Sequence, residues 1–101
     1  MTKNPAFELF KDNFPEVHAS FNQLFQSVST SALDEKTKQL VYLGVLTTTG
    51  YAPAIRVHIQ DALRAGATKE EIQESILLSI PATGTCNFLK VLPEVVEELA
   101  D

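Results

Sequence analysis

The chain is expected to be all-α, a compact bundle of about six helices. No segment alternates apolar and polar residues as a half-buried strand must, and apolar residues instead recur at intervals of three and four. The 4 Gly and 5 Pro stand singly, as punctuation between helices does. With 101 residues, 45% of them apolar, the length suits one domain over residues 1–101 built on one core.

The first helix opens with Asn4 as N-cap and Pro5 at N1, and carries Phe7, Leu9 and Phe10 until Asn13-Phe14-Pro15 interrupts it. A second runs from Pro15 through Val17, Phe21, Leu24, Phe25 and Val28, and stops at the polar run Ser29-Thr30-Ser31. Asp34 can cap a third, whose Leu40, Val41, Leu43, Val45 and Leu46 make it apolar around most of its circumference and predict burial on several sides. Thr47-Thr48-Thr49-Gly50 weakens that helix. Pro53 then opens a fourth with Ile55, Ile59, Ala62 and Leu63 on its apolar side and Gly66 as the residue past its end.

Thr68-Lys69-Glu70-Glu71 is a capping box, in which the Thr68 hydroxyl and the Glu71 carboxylate each satisfy an orphan amide at the start of a fifth helix bearing Ile72, Ile76, Leu77 and Ile80. Pro81 and Gly84 bracket the next turn. The last helix carries Phe88, Leu89, Val91, Leu92, Val95, Val96 and Leu99, with Pro93 expected to kink or restart it. Helices this apolar in so short a chain leave more hydrophobic face than one core covers, which predicts a homo-oligomer.

Charge narrows the partners. Eight Lys and Arg against 13 Asp and Glu leave a net charge of −5, which excludes a basic footprint for tracking phosphates, so no nucleic acid is expected. Cys86, the one cysteine, excludes an intramolecular disulfide or a Cys-x-x-Cys pair within one chain. The N-terminal stretch lacks the apolar core of a signal peptide and no apolar run approaches a membrane span, so a cytoplasmic chain with no membrane partner is expected.

Few residues invite chemistry. His18 has no neighbouring acid in sequence, whereas His58 lies mid-helix, with Tyr51, Ala54 and Asp61 near the same stripe, a weak acid/base constellation. The simplest alternative for His58 is a core or interface histidine whose second nitrogen meets a carbonyl. No second His or Cys stands near it at ligand spacing, so no metal is expected. Cys86 follows Gly84-Thr85 at the start of a helix, where a thiolate is favoured, although free cysteines most often simply pack. The acidic groups Glu70, Glu71, Glu74 and Glu94, Glu97, Glu98, Asp101 read as solvated faces. No Gly-x-Gly-x-x-Gly, P-loop or Gly-x-Ser-x-Gly element occurs, which removes nucleotide and serine-hydrolase readings.

The run Leu33-Asp34-Glu35-Lys36-Thr37-Lys38-Gln39-Leu40, then Gly50-Tyr51, then His58 with Ala62 and Gly66-Ala67-Thr68-Lys69-Glu70-Glu71-Ile72, resembles the carboxymuconolactone decarboxylase family, which includes the alkylhydroperoxidase D-like proteins. The resemblance covers residues 33–99. It implies an all-helical fold assembled as trimers or hexamers, with the site near a subunit contact, acting on a small molecule without a cofactor. The redox branch of that family carries a glutamate, then Cys-x-x-Cys, then a histidine four residues on. In this chain those positions fall on Gln39, Tyr51, Ala54 and His58, so only the histidine survives.

The decarboxylase branch lacks the cysteine pair and is the nearer likeness. On that reading His58 is the acid/base, Tyr51 orients it, and Tyr51, Gln39 and Arg56 contact the substrate, with Arg56 or Arg64 holding its carboxylate. The implied reaction is a lyase or proton-transfer step on a small carboxylated lactone or related acid. Two alternatives stand beside it: a peroxiredoxin-like antioxidant activity through Cys86, and a non-catalytic oligomer that binds a small ligand.

Overall fold

The computed structural model describes residues 5–100, and among them all regular structure is helical. In order the helices are α1 (Pro5–Asn13), α2 (Pro15–Val28), α3 (Glu35–Thr47), α4 (Ala52–Arg64), α5 (Lys69–Leu77), α6 (Ile80–Thr83) and α7 (Cys86–Glu98). The six longer ones match the six expected from sequence. The seventh, α6, is a single turn between Pro81 and Gly84, where a turn was expected. The predicted Asn4 cap lies outside the described residues.

Most helix ends follow from local chemistry. Asp34 accepts a hydrogen bond from the Thr37 amide at 2.7 Å and so caps α3. At the other end of α3 three threonine hydroxyls turn back on the helix: Thr47 donates to the Leu43 carbonyl, Thr48 to that of Val45 and Thr49 to that of Leu46. These bonds compete with continued winding, and α3 stops there. Helix α4 ends in a Schellman motif. The Ala67 amide donates to the Ala62 carbonyl and the Gly66 amide to that of Leu63, with Gly66 at φ +98°, where a side chain would be strained.

The capping box is present at α5: the Thr68 hydroxyl accepts from the Glu71 amide at 3.0 Å, and the Glu71 carboxylate accepts from the Thr68 amide at 2.8 Å. The same carboxylate pairs with Lys36 of α3 at 3.0 Å, so one glutamate both starts α5 and ties it to α3. The two amide and lysine contacts hold the Glu71 carboxyl below its ordinary range.

Two boundaries differ from the sequence reading. Ile80 does not extend the apolar face of α5, which ends at Leu77; the Ser79 hydroxyl donates to the Ile76 carbonyl, and Leu77 is exposed. Pro93 does not restart the last helix, because α7 runs through it. The carbonyl that loses its amide partner there belongs to Leu89, and both residues are exposed, so water can take the place of the missing bond.

The core lies between α3, α4, α5 and α7. Leu43, Ile55, Ile59, Ile72 and Val91 are fully buried in it and Ile76 nearly so. At about 100° per residue, Ile55, Ile59 and Ala62 form the narrow inward stripe of α4, which leaves its two edges for other tasks. Helices α1 and α2 pack on one another and hold no buried residue. Their shared contact is an aromatic box in which Phe7 and Phe10 each meet both His18 and Phe21, with the Phe7 and His18 rings 5.0 Å apart. No helix among the described residues is long and apolar enough to cross a membrane.

Candidate active site

The two edges of α4 carry the polar chemistry of the bundle. His58 lies about 60° to one side of the buried stripe and Arg56 about 100° to the other, so the helix separates two residues that sequence reasoning had placed in one site. On the Arg56 edge, the guanidinium donates to Glu97 Oε2 at 2.9 Å and to Glu98 Oε2 at 2.8 Å, while Gln60 donates to Glu98 Oε1 at 2.9 Å. Arg56 thus meets two carboxylates of its own chain. Its hydrogen bond to Glu97, and its charge, hold the Glu97 carboxyl below the ordinary range. Glu97 and Glu98, expected on a solvated face, are instead the clamp that docks α7 on α4. Asp101 lies outside the described residues.

On the opposite edge His58 Nδ1 lies 2.9 Å from Gln39 Oε1 of α3 and 3.8 Å from Asp61 Oδ2, one turn along α4. Since the Gln39 carbonyl oxygen can only accept, the imidazole carries its proton on Nδ1 and keeps a lone pair on Nε2. The ring packs edge-on against Tyr42, with centroids 4.6 Å apart and planes at 84°. Only 17% of the side chain is exposed. Burial pushes the His58 pKa below that of an ordinary histidine, and the Asp61 carboxylate partly opposes that shift. Asp61 is in turn paired with the exposed guanidinium of Arg64, so Arg64 acts on the histidine edge through Asp61.

Of the residues expected at the site, the structure brings together Gln39, His58 and Asp61. Tyr51 stands at the N-cap of α4, more than a third exposed, with its amide bonded to the Thr49 hydroxyl. Cys86 is exposed at the first position of α7. Tyr42 was missed from sequence. The signal was available, because Tyr42 follows Gln39 by three residues and the two are the polar pair on a helix that, between its first turn and Thr47, is otherwise apolar.

A cleft of about 530 Å³ adjoins this group, between the C-terminal half of α2, the 29–34 connection and α3. Phe25, Val28, Leu33, Val41 and Val45 supply apolar wall, and Glu35, Lys38 and Gln39 supply polar positions. Tyr42 lines it too and meets Phe25 edge-on at 5.8 Å. Gln39 and Tyr42 therefore face the cleft and also touch His58. The expectation that α3 is buried on several sides holds toward α4, α5 and α7 but not toward the cleft, where Val41 and Val45 are each more than half exposed.

An uncharacterized protein of Methanocaldococcus jannaschii, MJ1511, is 33% identical over 97 residues, covering 95% of this chain and 91% of its own length. An uncharacterized 15.0 kDa protein of Paracoccus denitrificans, encoded in the nqo9-nqo10 intergenic region, is 34% identical across 72% of this chain, which spans 61% of that relative's length. No solved structure matches the chain at a significant level. The family model for carboxymuconolactone decarboxylases matches residues 15–97, which takes in α2 as well as the region that carried the resemblance. The chain belongs to the carboxymuconolactone decarboxylase family, within the alkylhydroperoxidase D-like superfamily.

Proposed function

We propose that the chain is a proton-transfer enzyme or decarboxylase-like lyase acting on a small carboxylated lactone or related acid, with His58 as its acid/base. The observation that carries this reading is the 2.9 Å contact between His58 Nδ1 and Gln39 Oε1 on a largely buried ring whose pKa is lowered. A neutral imidazole with a free Nε2 lone pair enters the reaction as a base. It takes a proton from a carbon or hydroxyl next to the substrate's carbonyl, and the bond's electron pair stays on the substrate. The imidazolium so formed lies 3.8 Å from the Asp61 carboxylate, which stabilises it until the proton is returned. In the lyase form of the reaction the bond to the carboxylate breaks, carbon dioxide leaves with the bonding pair retained on the substrate carbon, and a proton that His58 has taken up from water is delivered to that carbanion, so one solvent proton is consumed per carbon dioxide released.

The test is carbon dioxide release from a panel of small carboxylated lactones and related acids, in the wild-type protein and His58→Ala. A loss of about 10²-fold or more is expected, the usual weight of a positioned proton-transfer group. Turnover retained in His58→Ala, with the assembly intact, removes His58 from the chemistry. The exposed Cys86 supports a second reading, in which its thiolate attacks a hydroperoxide, giving a sulfenic acid and an alcohol, and an external dithiol restores the thiol. Hydroperoxide consumption that disappears in Cys86→Ser would favour that reading.

The same proposal includes self-association as a trimer or hexamer. Its support is the apolar outer surface of the α1–α2 pair, where Leu9, Phe14, Val17, Leu24 and Val28 are each more than half exposed.

A further inference from the structure

Among the described residues, Lys38 is the one cation that lines the cleft between α2 and α3. At about 100° per residue, Val41, Val45, Lys38, Tyr42, Glu35 and Gln39 succeed one another across an arc of about 160° on α3, so the lysine stands where the valine side of the wall meets its polar side. Its side chain is only 22% exposed, and its ammonium meets one carboxylate, that of Glu35, at 3.5 Å. That contact is long for an ion pair and its acidic partner is 71% exposed, so Glu35 can turn to water at little cost. One distant carboxylate does not use up three donors.

Most of the remaining wall is hydrocarbon, from Phe25, Val28, Leu33, Val41 and Val45, beside the uncharged polar side chains of Gln26, Ser29, Thr30 and Gln39. Phe25, Val28, Val41 and Val45 leave between 38% and 70% of their surface open around it, and its volume of about 530 Å³ falls in the range of small-molecule sites. A ligand that covers these side chains needs an apolar body, and the single ammonium asks for one negative charge. A dianion fits poorly, because Glu35 stands beside the lysine and the whole chain carries a net charge of −5. We infer that the cleft is a binding site for an apolar monocarboxylate, whose carboxylate pairs with Lys38 while its hydrocarbon body lies on Phe25, Val28, Val41 and Val45.

This assignment takes from the proposed function only that the ligand is an acid. It gives Lys38 the carboxylate-holding task expected of Arg56, and it puts the ligand against Gln39 and Tyr42, the two cleft residues that touch His58. The substrate class then narrows from small acids in general to acids with an apolar body.

The experiment is an amide NMR titration of the full chain with octanoate, octan-1-ol and adipate. Octanoate is expected to shift residues 25–28 and 38–45 and to bind at least about fivefold tighter than octan-1-ol, with adipate weaker than both. Lys38→Met should weaken octanoate about tenfold and leave octan-1-ol unchanged, and Lys38→Arg should restore most of the difference. The inference is overturned if octanoate and octan-1-ol bind alike, if Lys38→Met changes neither, or if the shifts map elsewhere. It is equally overturned if octanoate acts only by dissociating an assembly, since another copy would then fill the cleft. Octanoate binding with turnover unaffected by His58→Ala would retain this site and reject the catalytic reading. Loss of turnover without octanoate binding would do the reverse.

Discussion

His58 on α4 and Gln39 on α3 meet at 2.9 Å at the rim of the core, and this contact sets which imidazole nitrogen is free. The amide is neutral, so it orients the ring without stabilising its charged form. Replacing it by a carboxylate changes that. Gln39→Glu is expected to raise the His58 pKa, which in the wild type lies below the ordinary histidine value because the ring is buried. A proton NMR titration of the His58 ring reads both values. In the proposed reaction the acid limb, which reports the free base, should move to higher pH in Gln39→Glu, lowering activity below that limb's midpoint. A wild-type His58 that titrates at or above the ordinary value contradicts the geometry described for it.

The lowered pKa also makes stability depend on pH, with a definite sign. Between the folded and unfolded pKa values of His58 the unfolded chain binds the extra proton, so stability rises with pH through that window. The contribution is complete above the unfolded value, near 6.5, and is lost as pH falls toward the folded one. Asp34, Glu71 and Glu97 have lowered carboxyl pKa values, and what they contribute is lost only further down, as pH falls through those values. Urea denaturation at pH 7.5 and 5.5 should therefore show a loss in the wild type that His58→Gln abolishes. An equal loss in both would assign the effect to another group.

Arg56 gives the opposite kind of expectation. Its guanidinium bridges Glu97 and Glu98 across the α4–α7 contact, so its removal should loosen α7 and leave the histidine edge alone. Arg56→Met is expected to lower Tm by a few degrees while turnover stays within about twofold of wild type. Calorimetry and initial rates on the same preparations check this. A large loss of activity at unchanged Tm would return Arg56 to the substrate.

Where the sequence was legible, the reason is local. The Asp34 cap, the Thr68 and Glu71 capping box and the Gly66 terminus each depend on residues within a turn of one another, and each is found as read. The pairing of His58 with Asp61 is of the same kind, an i, i+3 relation on one helix. The contacts of Arg56 and Tyr42 were not legible because their partners are distant in sequence. Arg56 meets Glu97 and Glu98 some forty residues on, and nothing in the spacing of α7 announces which face it presents to α4. His58 meets Tyr42 only because α3 and α4 lie side by side.

Gly50 tests the geometry that brings those two helices together. It sits at φ +71° in the turn between α3 and α4, and a Cβ there would fall 2.9 Å from Asn87 Oδ1, whose own amide donates to the Thr48 carbonyl at 2.7 Å. Gly50→Ala should cost about 1–2 kcal/mol from the left-handed backbone alone, with the Asn87 contact disturbed in addition. By comparison Thr68→Ala, which removes only the α5 cap, should cost about 1 kcal/mol. Chemical denaturation that ranks Thr68→Ala as the more damaging would show that the α3–α4 turn tolerates a side chain.

The outer face of α2 decides whether the chain acts alone. Val17, Leu24 and Val28 recur at intervals of seven and four, so they form one stripe, and each is more than half exposed while Phe21 beside them packs into the box with Phe7 and Phe10. A stripe of this kind on a helix without one buried residue keeps most of its contact with water on folding, and it gains further stability by meeting another surface. Light scattering should therefore give the wild type a mass of several times 11.1 kDa. Val17→Glu with Leu24→Glu should reduce that mass toward one copy, because two buried carboxylates in a symmetric contact repel and lose hydration in every pair. Neither residue lines the cleft, so a dissociated variant that keeps its helical content also shows whether the cleft needs a second subunit. A wild-type chain that runs as a monomer at micromolar concentration leaves the stripe without a partner of its own kind and removes self-association from the proposal.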